Sequence, residues 1–444
     1  MEAVTPNHGF WVGFFFTINA IIGSGVLAVP WNFQQAGLIL GVVLLLLAGF
    51  LTLVLSLQML EIMSRVELYV QLQENPKGDS IEEDTQALIA PAEPTIKDRK
   101  FDMEAMFALL FGEGAKRAYM LGLGVTVIAT LTAYFVLFGK TMTAFVPILG
   151  VSCDTSIDLS GGCRSTYTCY LLLYSLVMFY FCYRGYAEQI TMQAVMACAR
   201  FVVLFLIVLT AFLALIQGKT LTSDEHRSLP VPKLWSFFPA AGVMFALFFL
   251  ALSFHNTMPN TAQMIRERAQ VLPRVMVCAI GITTFVFLVV GVVTSLAVED
   301  ADEIITLEWQ HYSASHEHRP WYSYPLAFVI VLFPAIDVLS IFPIYSIALS
   351  DNLIALVYGH DYEGRVGRLE FCCFRAATIV PPLVIALLVD NFVRDKQTFI
   401  LDIAGIFGFL SLMGAISLLQ IRTRRLVPEA SKYDTPFGHS VSAS

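Results

Sequence analysis

A carboxylate lies deep inside a strongly apolar stretch of the chain. Asp337 stands in the segment FPAIDVLSIFP at 333–343, between Pro334 and Pro343. A charged side chain in the middle of a membrane helix costs at least about 2.5 kcal/mol, so a charge kept there is a candidate for function. The carboxylate could bind a cation or carry a proton. The alternative is a neutral aspartic acid that is hydrogen-bonded to a neighbouring helix.

Two glycines flank a serine within the first apolar run, NAIIGSGVLAVPW at 19–31. Glycine costs roughly 1 kcal/mol per helical position and leaves the backbone exposed. At bilayer depth, peptide groups freed by such a break need protein, water or a ligand as partners. Gly23, Ser24 and Gly25 therefore predict an interrupted helix. Asn19, one turn earlier, is either a ligand or part of a helix-packing hydrogen bond.

A second interruption is predicted in the segment ALSFHNTMPN at 251–260. Pro259 has no N–H to donate to the carbonyl four residues earlier, so backbone acceptors are expected to be free around Phe254 and His255. The imidazole of His255 adds an ionisable group. Either break alone is more often an ordinary kink, because glycine and proline are common in membrane helices.

The two breaks occupy matching places, since each falls in the first helix of a five-helix half of the chain. Paired interruptions of this kind are typical of inverted-repeat transporters, in which the substrate binds where the breaks meet. Helix N-terminal amides suit a carboxylate and freed carbonyls suit an ammonium group, so we expect an amino acid as substrate, with Phe254 and Tyr134 walling its side chain. The residues predicted to bind it are Asn19, Gly23, Ser24, Gly25, Tyr134, Ser253, Phe254, His255 and Asn256.

Other polar residues have simpler interpretations. Arg200, Lys140 and Asp402 are expected nearer to helix ends, where snorkelling or local pairing accounts for them. Three histidines of the 299–321 segment could bind a metal ion, but a solvated acidic loop is the better interpretation, so no metal site is predicted.

Two cysteines stand apart from those in the apolar runs. Cys153 and Cys163 share one loop with Gly161 and Gly162. A disulfide between them is plausible in an oxidising compartment, and two free thiols, with Cys169 as a competing partner, are about equally plausible.

Ten apolar segments are long enough to cross a hydrocarbon core of about 30 Å, which needs about 20 helical residues. They are 10–30, 37–63, 118–149, 166–183, 190–217, 237–258, 273–298, 322–350, 371–390 and 398–421. None alternates polar and apolar residues as barrel strands do. The predicted fold is therefore an all-α membrane protein, a five-plus-five inverted-repeat transporter bundle with discontinuous helices 1 and 6, within a single domain over 1–421.

Composition and charge are those of a protein in lipid. Of the 444 residues, 57% are hydrophobic and 14% charged, against about 25% charged in a soluble domain. The net charge of −8 argues against nucleic acid as a partner. With the N-terminus in the cytosol, 18 of the 27 Lys and Arg residues fall in cytosolic segments and seven on the far side, with Lys140 and Arg200 inside helices. Both termini are therefore predicted to be cytosolic.

Long polar segments connect or follow the spans. Residues 64–100 are predicted to form a disordered acidic cytosolic loop, with a short amphipathic segment after it around 101–112. Within the loop, Asp84 stands four residues before Leu88 and Ile89. That spacing has the form of an acidic dileucine signal, so sorting adaptors are candidate partners. Residues 422–444 are predicted to be a cytosolic tail.

The segment NAIIGSGVLAVPWNFQQAG at 19–37 resembles helix 1 of the amino acid/auxin permease family, which includes the solute carrier 38 type and vacuolar amino acid transporters. HNTMPNTAQMIRER at 255–268 is similar to the end of the family's helix 6, and IFPI at 341–344 to its helix 8. The spacing is similar to that of the transmembrane protein 104 branch, and the resemblance covers residues 9–421. The matching positions in helix 1 are Asn19, Gly23, Gly25, Pro30, Trp31 and Gly37.

The resemblance implies the five-plus-five fold and amino acid transport driven by protons or sodium. In sodium-coupled members, the asparagine matched by Asn19 helps to form the ion site with a helix 8 hydroxyl. Here Ile336 and Asp337 stand where that hydroxyl is expected, and Ser340 follows one turn later. A proton on Asp337 is therefore the favoured coupling ion, and sodium is the alternative. The family has an eleventh helix, whereas polar residues 427–444 end this chain, which is either natural or an incomplete gene model.

We therefore expect a proton-coupled secondary transporter of amino acids, without an organic cofactor, in the plasma membrane or an endolysosomal or vacuolar membrane. The alternative is a non-transporting amino acid sensor that signals through the 64–117 loop. An enzyme is not expected. The sequence has no His-Glu-x-x-His or Gly-x-Ser-x-Gly motif and no paired carboxylates in its apolar runs.

Overall fold

A computed structural model describes residues 9–74, 96, 101–146, 161–184, 190–218, 221, 233–235, 238–299, 301, 304–312, 319–358, 365–392 and 396–428. Within these ranges the chain forms helices and no β-strand. This is the result expected in lipid, where each backbone N–H and C=O needs a partner inside its own segment.

The described residues of the first half form seven α-helices. They are α1 (Phe10–Ile21), α2 (Val29–Ala36), α3 (Leu38–Glu74), α4 (Met103–Phe111), α5 (Glu113–Phe145), α6 (Gly162–Arg184) and α7 (Ile190–Ile216), with a short 3₁₀ helix at Ser24–Ala28 between α1 and α2. Gly37 ends α2 with a φ of +89°, a conformation that side chains disfavour.

The described residues of the second half form six α-helices and two short 3₁₀ helices. The α-helices are α8 (Phe238–Leu252), α9 (Met258–Met264), α10 (Arg268–Ala297), α11 (Ser323–Tyr358), α12 (Arg368–Phe392) and α13 (Lys396–Leu426). The 3₁₀ helices are His255–Thr257, between α8 and α9, and Ile305–His311, between α10 and α11.

Eight of the described helices are long and apolar enough to cross a membrane, and nine spans result if α1 and the bent segment after it are counted together. The sixth predicted span, 237–258, contains the shorter α8 and the break that follows it. The coarse prediction of an all-helical, multi-pass membrane protein is confirmed.

The predicted cytosolic loop begins later than the sequence suggests. We expected disorder from residue 64, but α3 continues to Glu74, and its segment 58–68 is buried against the rest of the protein. That part of the prediction is wrong, because charged residues there are buried by tertiary contacts. The amphipathic segment around 101–112 is present as α4, with Met106 and Phe107 buried. Asp84, Leu88 and Ile89 lie outside the described residues.

Two long helices form the centre of the bundle. In the most apolar 18-residue stretch of each helix, 67% of the residues are buried in α5 and in α11, whereas 28% are buried in α12. The helix α5 packs against α6, α11, α12 and α13, while α10 packs against α1, α3 and α7, and α8 lies between α3 and α13. Some interior hydroxyls bond within their own helices, and Thr283, for example, donates to the carbonyl of Ala279 at 2.7 Å.

Charged residues also tie the end of α13 to α3. The carboxylate of Glu61 is fully buried and accepts hydrogen bonds from the Nε atoms of Arg65, at 3.0 Å, and Arg424, at 2.7 Å. Arg65 also donates to the carbonyl of Val427. Since Glu61 and Arg424 are far apart in sequence, this cluster fixes the last helix against the first half of the chain.

Candidate functional site

The first membrane span is broken where the Gly-Ser-Gly sequence predicts it. The helix α1 ends at Ile21, and the two helical segments around the break are bent by 51°. The Gly23 amide donates to the carbonyl of Ile21 at 2.9 Å, so in this conformation it is not free for a ligand. The chain then turns through the 3₁₀ helix and resumes as α2, with Pro30 in its first turn.

The sixth span is broken by a different local structure from the one predicted. The helix α8 ends at Leu252, and Pro259 lies in the first turn of α9, where its missing N–H costs nothing. The carbonyl of Phe254, which was expected to be free, accepts from the backbone N–H of Thr257 at 2.9 Å and from its hydroxyl at 2.8 Å. The break is therefore a 3₁₀ turn that is closed by two hydrogen bonds from Thr257, and it is not a kink caused by proline.

The first break touches the end of α8, the helix that leads into the second break. A Cβ atom added to Gly25 would lie 3.0 Å from the Cβ of Ala251 and 3.3 Å from its Cα. Ala251 is one residue before the end of α8. The absence of a side chain at Gly25 therefore lets the first break pack directly against the helix that leads into the second.

A buried ion pair lies beside the first break. Arg200 of α7 donates from Nε to the Oδ1 of Asp337 in α11 at 2.5 Å, and the two residues are only 2% and 1% exposed. We expected Arg200 to snorkel or to pair locally, but it pairs with a residue 137 positions away. Snorkelling is excluded because the guanidinium is enclosed by protein.

The same guanidinium contacts three further oxygen atoms. Its NH1 nitrogen donates to the main-chain carbonyl of Asn19 at 3.2 Å and to the side-chain oxygen of the same residue. Its NH2 nitrogen donates to the hydroxyl of Ser340 at 3.3 Å, and that hydroxyl donates to the main-chain carbonyl of Asp337 at 2.8 Å. The three residues predicted to couple an ion thus surround one arginine.

A narrow pocket lies beside this ion pair, and in this conformation it is too tight to admit a water molecule. It is lined by Ile22, Gly23, Val26, Leu27, Arg200, Leu204, Phe333 and Asp337. Its walls are therefore mostly apolar, with one positive and one negative group and the backbone of the first break. A small molecule that carries both charges would suit this lining once the pocket widens.

The predicted residues of the sixth span lie elsewhere. His255 is fully buried, and its Nε2 donates to the carbonyl of Thr52 in α3 at 3.3 Å, which leaves Nδ1 as an acceptor. That Nδ1 and the hydroxyl of Ser253 are buried atoms without a hydrogen-bond partner in the described structure. Asn256 accepts from the hydroxyl of Tyr119 at 3.1 Å.

Aromatic residues enclose this second break. Phe254 is 3% exposed and stacks on the ring of His255 at 5.4 Å, with Phe249 on the same ring at 6.3 Å. Tyr134 is buried in α5, with its ring 6.4 Å from that of Tyr345 in α11. The structure does not place these rings on the pocket beside Arg200, so their predicted roles as substrate walls remain predictions.

The pattern of a known family matches almost the whole chain. Residues 6–413 match the family described as transmembrane amino acid transporter protein. The chain belongs to this family.

Two relatives match most of this chain at low identity. A protein called transmembrane protein 104 homolog from Caenorhabditis elegans is 20% identical over 461 residues, which cover 96% of this chain and 89% of the relative. A protein with the same name from Drosophila melanogaster is 22% identical over 437 residues, covering 87% of this chain and 83% of the relative.

Three residues of the site, namely Tyr119, Thr52 and Arg200, were not predicted from the sequence. Tyr119 and Thr52, which contact the second break, give no signal, because they are ordinary polar residues within apolar runs. Arg200 does give one. Two opposite charges within the lipid-spanning segments are each costly alone, so Asp337 and Arg200 could have been paired from charge balance.

The described residues include one of the two cysteines that were predicted to pair. Cys163, at the start of α6, is disulfide-bonded, whereas Cys169 is a free thiol. Cys153 and the side chain of Ser24 lie outside the described residues. Among the His, Cys, Asp and Glu side chains that are described, no cluster could hold a metal ion.

Proposed function

We propose that this protein is a proton-coupled secondary active transporter of amino acids and that its substrate binds beside the break of the first span. The chain belongs to an amino acid transporter family, and one structural observation supports the proposal. The pocket against that break is lined by a guanidinium and by the backbone of the break, and substrate entry would require it to widen. A free amino acid has the complementary pair of charges at a short, fixed spacing.

The substrate's carboxylate is assigned to the first break. The first amides of a 3₁₀ helix have no partner inside the helix, which leaves the Ser24 and Gly25 N–H groups for an anion. The Gly23 amide becomes available only if its bond to Ile21 opens. Arg200, on the wall of the same pocket, adds a positive charge.

The substrate's ammonium group is assigned to the second break. The buried Ser253 hydroxyl and the Nδ1 of His255 are acceptors that lack partners in the described structure. Since buried polar atoms are almost always paired in proteins, two such atoms at one break favour a polar ligand or water there. The first break packs on Ala251, two residues before Ser253, so the regions assigned to the two charged groups belong to neighbouring segments.

Asp337 is assigned to coupling. A proton that adds to its carboxylate would remove the charge that holds Arg200 and so loosen the joint between α7 and α11. Release of the proton would restore the ion pair. Alternate loading of this carboxylate can thus be linked to movement of two helices that line the pocket.

The remaining architecture follows from the same proposal. We assign ten spans in two inverted halves of five, with the breaks in the first and sixth. Both termini are placed in the cytosol, in an endolysosomal, vacuolar or plasma membrane. Sorting adaptors that recognise Asp84, Leu88 and Ile89 are the proposed partners for delivery.

Uptake by purified protein in proteoliposomes tests this function. We expect saturable accumulation of some members of a panel of amino acids, driven by an inward proton gradient and unchanged when sodium is replaced by choline. Asp337→Asn should abolish pH-driven accumulation and keep substrate exchange. Ser340→Ala, which removes a 3.3 Å contact to Arg200 and a 2.8 Å bond to the carbonyl of Asp337 but leaves the carboxylate in place, should retain both. Pure protein that moves no amino acid at either of two pH values, with or without sodium, would refute transport.

One contact favours a sensor as the second candidate. Tyr119 bonds to Asn256 at the second break, stacks on Phe107 of α4 at 4.8 Å, and so joins the break to the cytosolic segment. Binding of an amino acid at the site could therefore be transmitted through α4 to the membrane surface. Amino-acid-dependent thermal stabilisation without counterflow would favour the sensor over the transporter.

A further inference from the structure

Two adjacent cysteines stand near the start of α12 and have no part in the site described above. Cys372 and Cys373 are both free thiols, and Cys373 is exposed whereas Cys372 is half-buried. We propose that this pair is a site of S-acylation, at which Cys373 is the principal acceptor of a long-chain fatty acyl group. The inference goes beyond the proposed function and rests only on its placement of both termini in the cytosol.

The depth of the pair in the membrane suits this modification. As the ninth of ten spans, α12 would begin on the cytosolic side at Arg368. Cys373 follows about 7.5 Å further along the helix axis. The headgroup layer outside the hydrocarbon core is roughly 5–7 Å thick on each side. The thiol therefore lies at the boundary between headgroups and hydrocarbon, and juxtamembrane cysteines are the ones that are reversibly acylated.

An apolar strip on the surface of α12 leads from this thiol into the membrane. Residues three or four positions apart share one face of a helix. On this face the exposed residues are Cys373, Ala377, Val380, Val384 and Leu388. The strip extends roughly 22 Å along the axis, so a long acyl chain can lie along it in the hydrocarbon. Among the eight long spans described, α12 also has the lowest buried share, at 28%.

The opposite face of α12 is fixed to the bundle. Arg375 is 4% exposed, its NH2 nitrogen lies 2.9 Å from the Oδ1 of Asp351 in α11, and its NH1 nitrogen donates to the carbonyl of Ile347 at 3.0 Å. Since this pairing fixes the rotation of α12, Cys373 stays on the side that faces lipid. Arg368, which is exposed at the start of the helix, favours contact with anionic headgroups.

The other exposed thiols that are described lack this combination of features. Cys278 lies roughly 15 Å along α10 from its start, which is too deep for a water-soluble acyl donor. Cys198 is two residues before Arg200, whose guanidinium contacts the first break in the interior of the bundle. Cys169 is near the opposite end of the bundle, in the first half of α6.

The reaction is an acyl transfer without a redox change. The Sγ atom of Cys373 attacks the thioester carbonyl carbon of a long-chain acyl-coenzyme A. The carbon–sulfur bond to coenzyme A breaks, and coenzyme A leaves as a thiol with the proton that Cys373 loses. The donor is cytosolic, so the transfer requires a membrane-bound acyltransferase of the cell that acts on the cytosolic face.

Exchange of the acyl group for a large polymer tests the proposal on the full-length protein from cells. Free thiols are blocked, thioesters are cleaved with neutral hydroxylamine, and the released thiols are coupled to a polyethylene glycol maleimide that retards the protein on a gel. For the wild type we expect a retarded band that requires hydroxylamine. A wild-type protein without that band would overturn the proposal.

Matched serine variants locate the acylated residue. Cys373→Ser should lose most of the retarded band, and Cys372→Ser combined with Cys373→Ser should lose all of it. Cys278→Ser and Cys169→Ser, which also remove exposed thiols, should keep the wild-type band. An undiminished band in the double variant would overturn the proposal, and so would its complete loss in Cys278→Ser.

The wild type also gives a decision that needs no variant. Mass spectrometry of its peptide that contains Cys372 and Cys373 should show the mass of a long acyl chain, removable by hydroxylamine. Two unmodified cysteines in that peptide would overturn the proposal whatever the uptake assay shows. A modified pair in a protein that moves no amino acid would support acylation and refute only the transporter.

Discussion

Two opposite charges, on Arg200 and Asp337, lie side by side inside a mostly apolar bundle. The Nε of Arg200 and the Oδ1 of Asp337 are 2.5 Å apart, and both residues are almost fully buried. Such a pair gains little net stability over a well-packed apolar pair, because both charges lose their hydration. Removal of one partner is far more costly, since the other charge is then buried alone.

The energies of single and double variants should therefore fail to add. We expect Arg200→Gln and Asp337→Asn each to destabilise the protein by roughly 3–5 kcal/mol. The double variant, which contains neither charge, should be more stable than either single variant. Melting temperatures of the four proteins, measured in one detergent without sodium, complete the double-mutant cycle. Losses that simply add would show that the two side chains act independently.

Only half of this pair could be predicted from sequence. Asp337 stands out because prolines and apolar residues surround it, so burial could be inferred from its neighbours alone. The position of Arg200 depends on how α7 and α11 pack, over a separation of 137 residues. Local pattern contains no information about such a contact, although the balance of intramembrane charge does indicate that a partner exists.

The two broken helices were also predicted from the sequence only in part. The Gly-Ser-Gly break was placed correctly, because glycine weakens a helix wherever it stands. At the second break the location was right and the cause was wrong. Pro259 begins α9 instead of interrupting a continuous helix, and the turn before it is closed by Thr257.

Two glycines of the first break should respond differently to the same substitution. In Gly25→Ala the new methyl would meet the Cβ and the Cα of Ala251 at 3.0 and 3.3 Å, so the first break and α8 must separate. We expect a loss of stability of about 1–3 kcal/mol. Gly23→Ala is the matched control, since its methyl would lie 3.5 Å from the Cδ1 of Ile341, an ordinary contact. Thermal unfolding that ranks the two variants equally would contradict this packing.

The cytosolic cover of the second break should depend on one hydroxyl. Tyr119→Phe removes the 3.1 Å bond to Asn256 but keeps the ring stacked on Phe107. Loss of a hydrogen bond of about 1 kcal/mol should speed amide hydrogen exchange in the 250–260 segment roughly fivefold. Tyr69→Phe is the control, because the Tyr69 hydroxyl bonds only to the exposed side chain of Gln73 among the contacts described for it. Equal exchange in all three proteins would show that Tyr119 does not hold the break closed.

The number of spans illustrates what sequence can determine for the whole molecule. Apolar length alone located each long helix, because a bilayer demands about 20 residues per span. It could not show that α8 is only 15 residues long or that α3 continues beyond the bilayer to Glu74. Those boundaries depend on the capped turn after α8 and on contacts between charged residues such as Glu61 and Arg424.

The orientation of the bundle can be tested with one cysteine on each face. Glu113→Cys, at a side chain 63% exposed, should face the cytosol, whereas Trp321→Cys, at a residue 81% exposed, should face the far side. The assay applies a membrane-impermeant maleimide to intact cells, to cells whose plasma membrane alone is opened by digitonin, and to fully solubilised cells. It uses a background in which the exposed native cysteines are serine.

Because basic residues stay in the cytosol, we expect Glu113→Cys to react only once digitonin is present. Trp321→Cys should react in intact cells if the protein lies in the plasma membrane, or only after full solubilisation if it lies in an endolysosomal membrane. Labelling of Glu113→Cys in intact cells, or of Trp321→Cys at the digitonin step, would invert the topology and place the Glu61 cluster on the opposite side of the membrane.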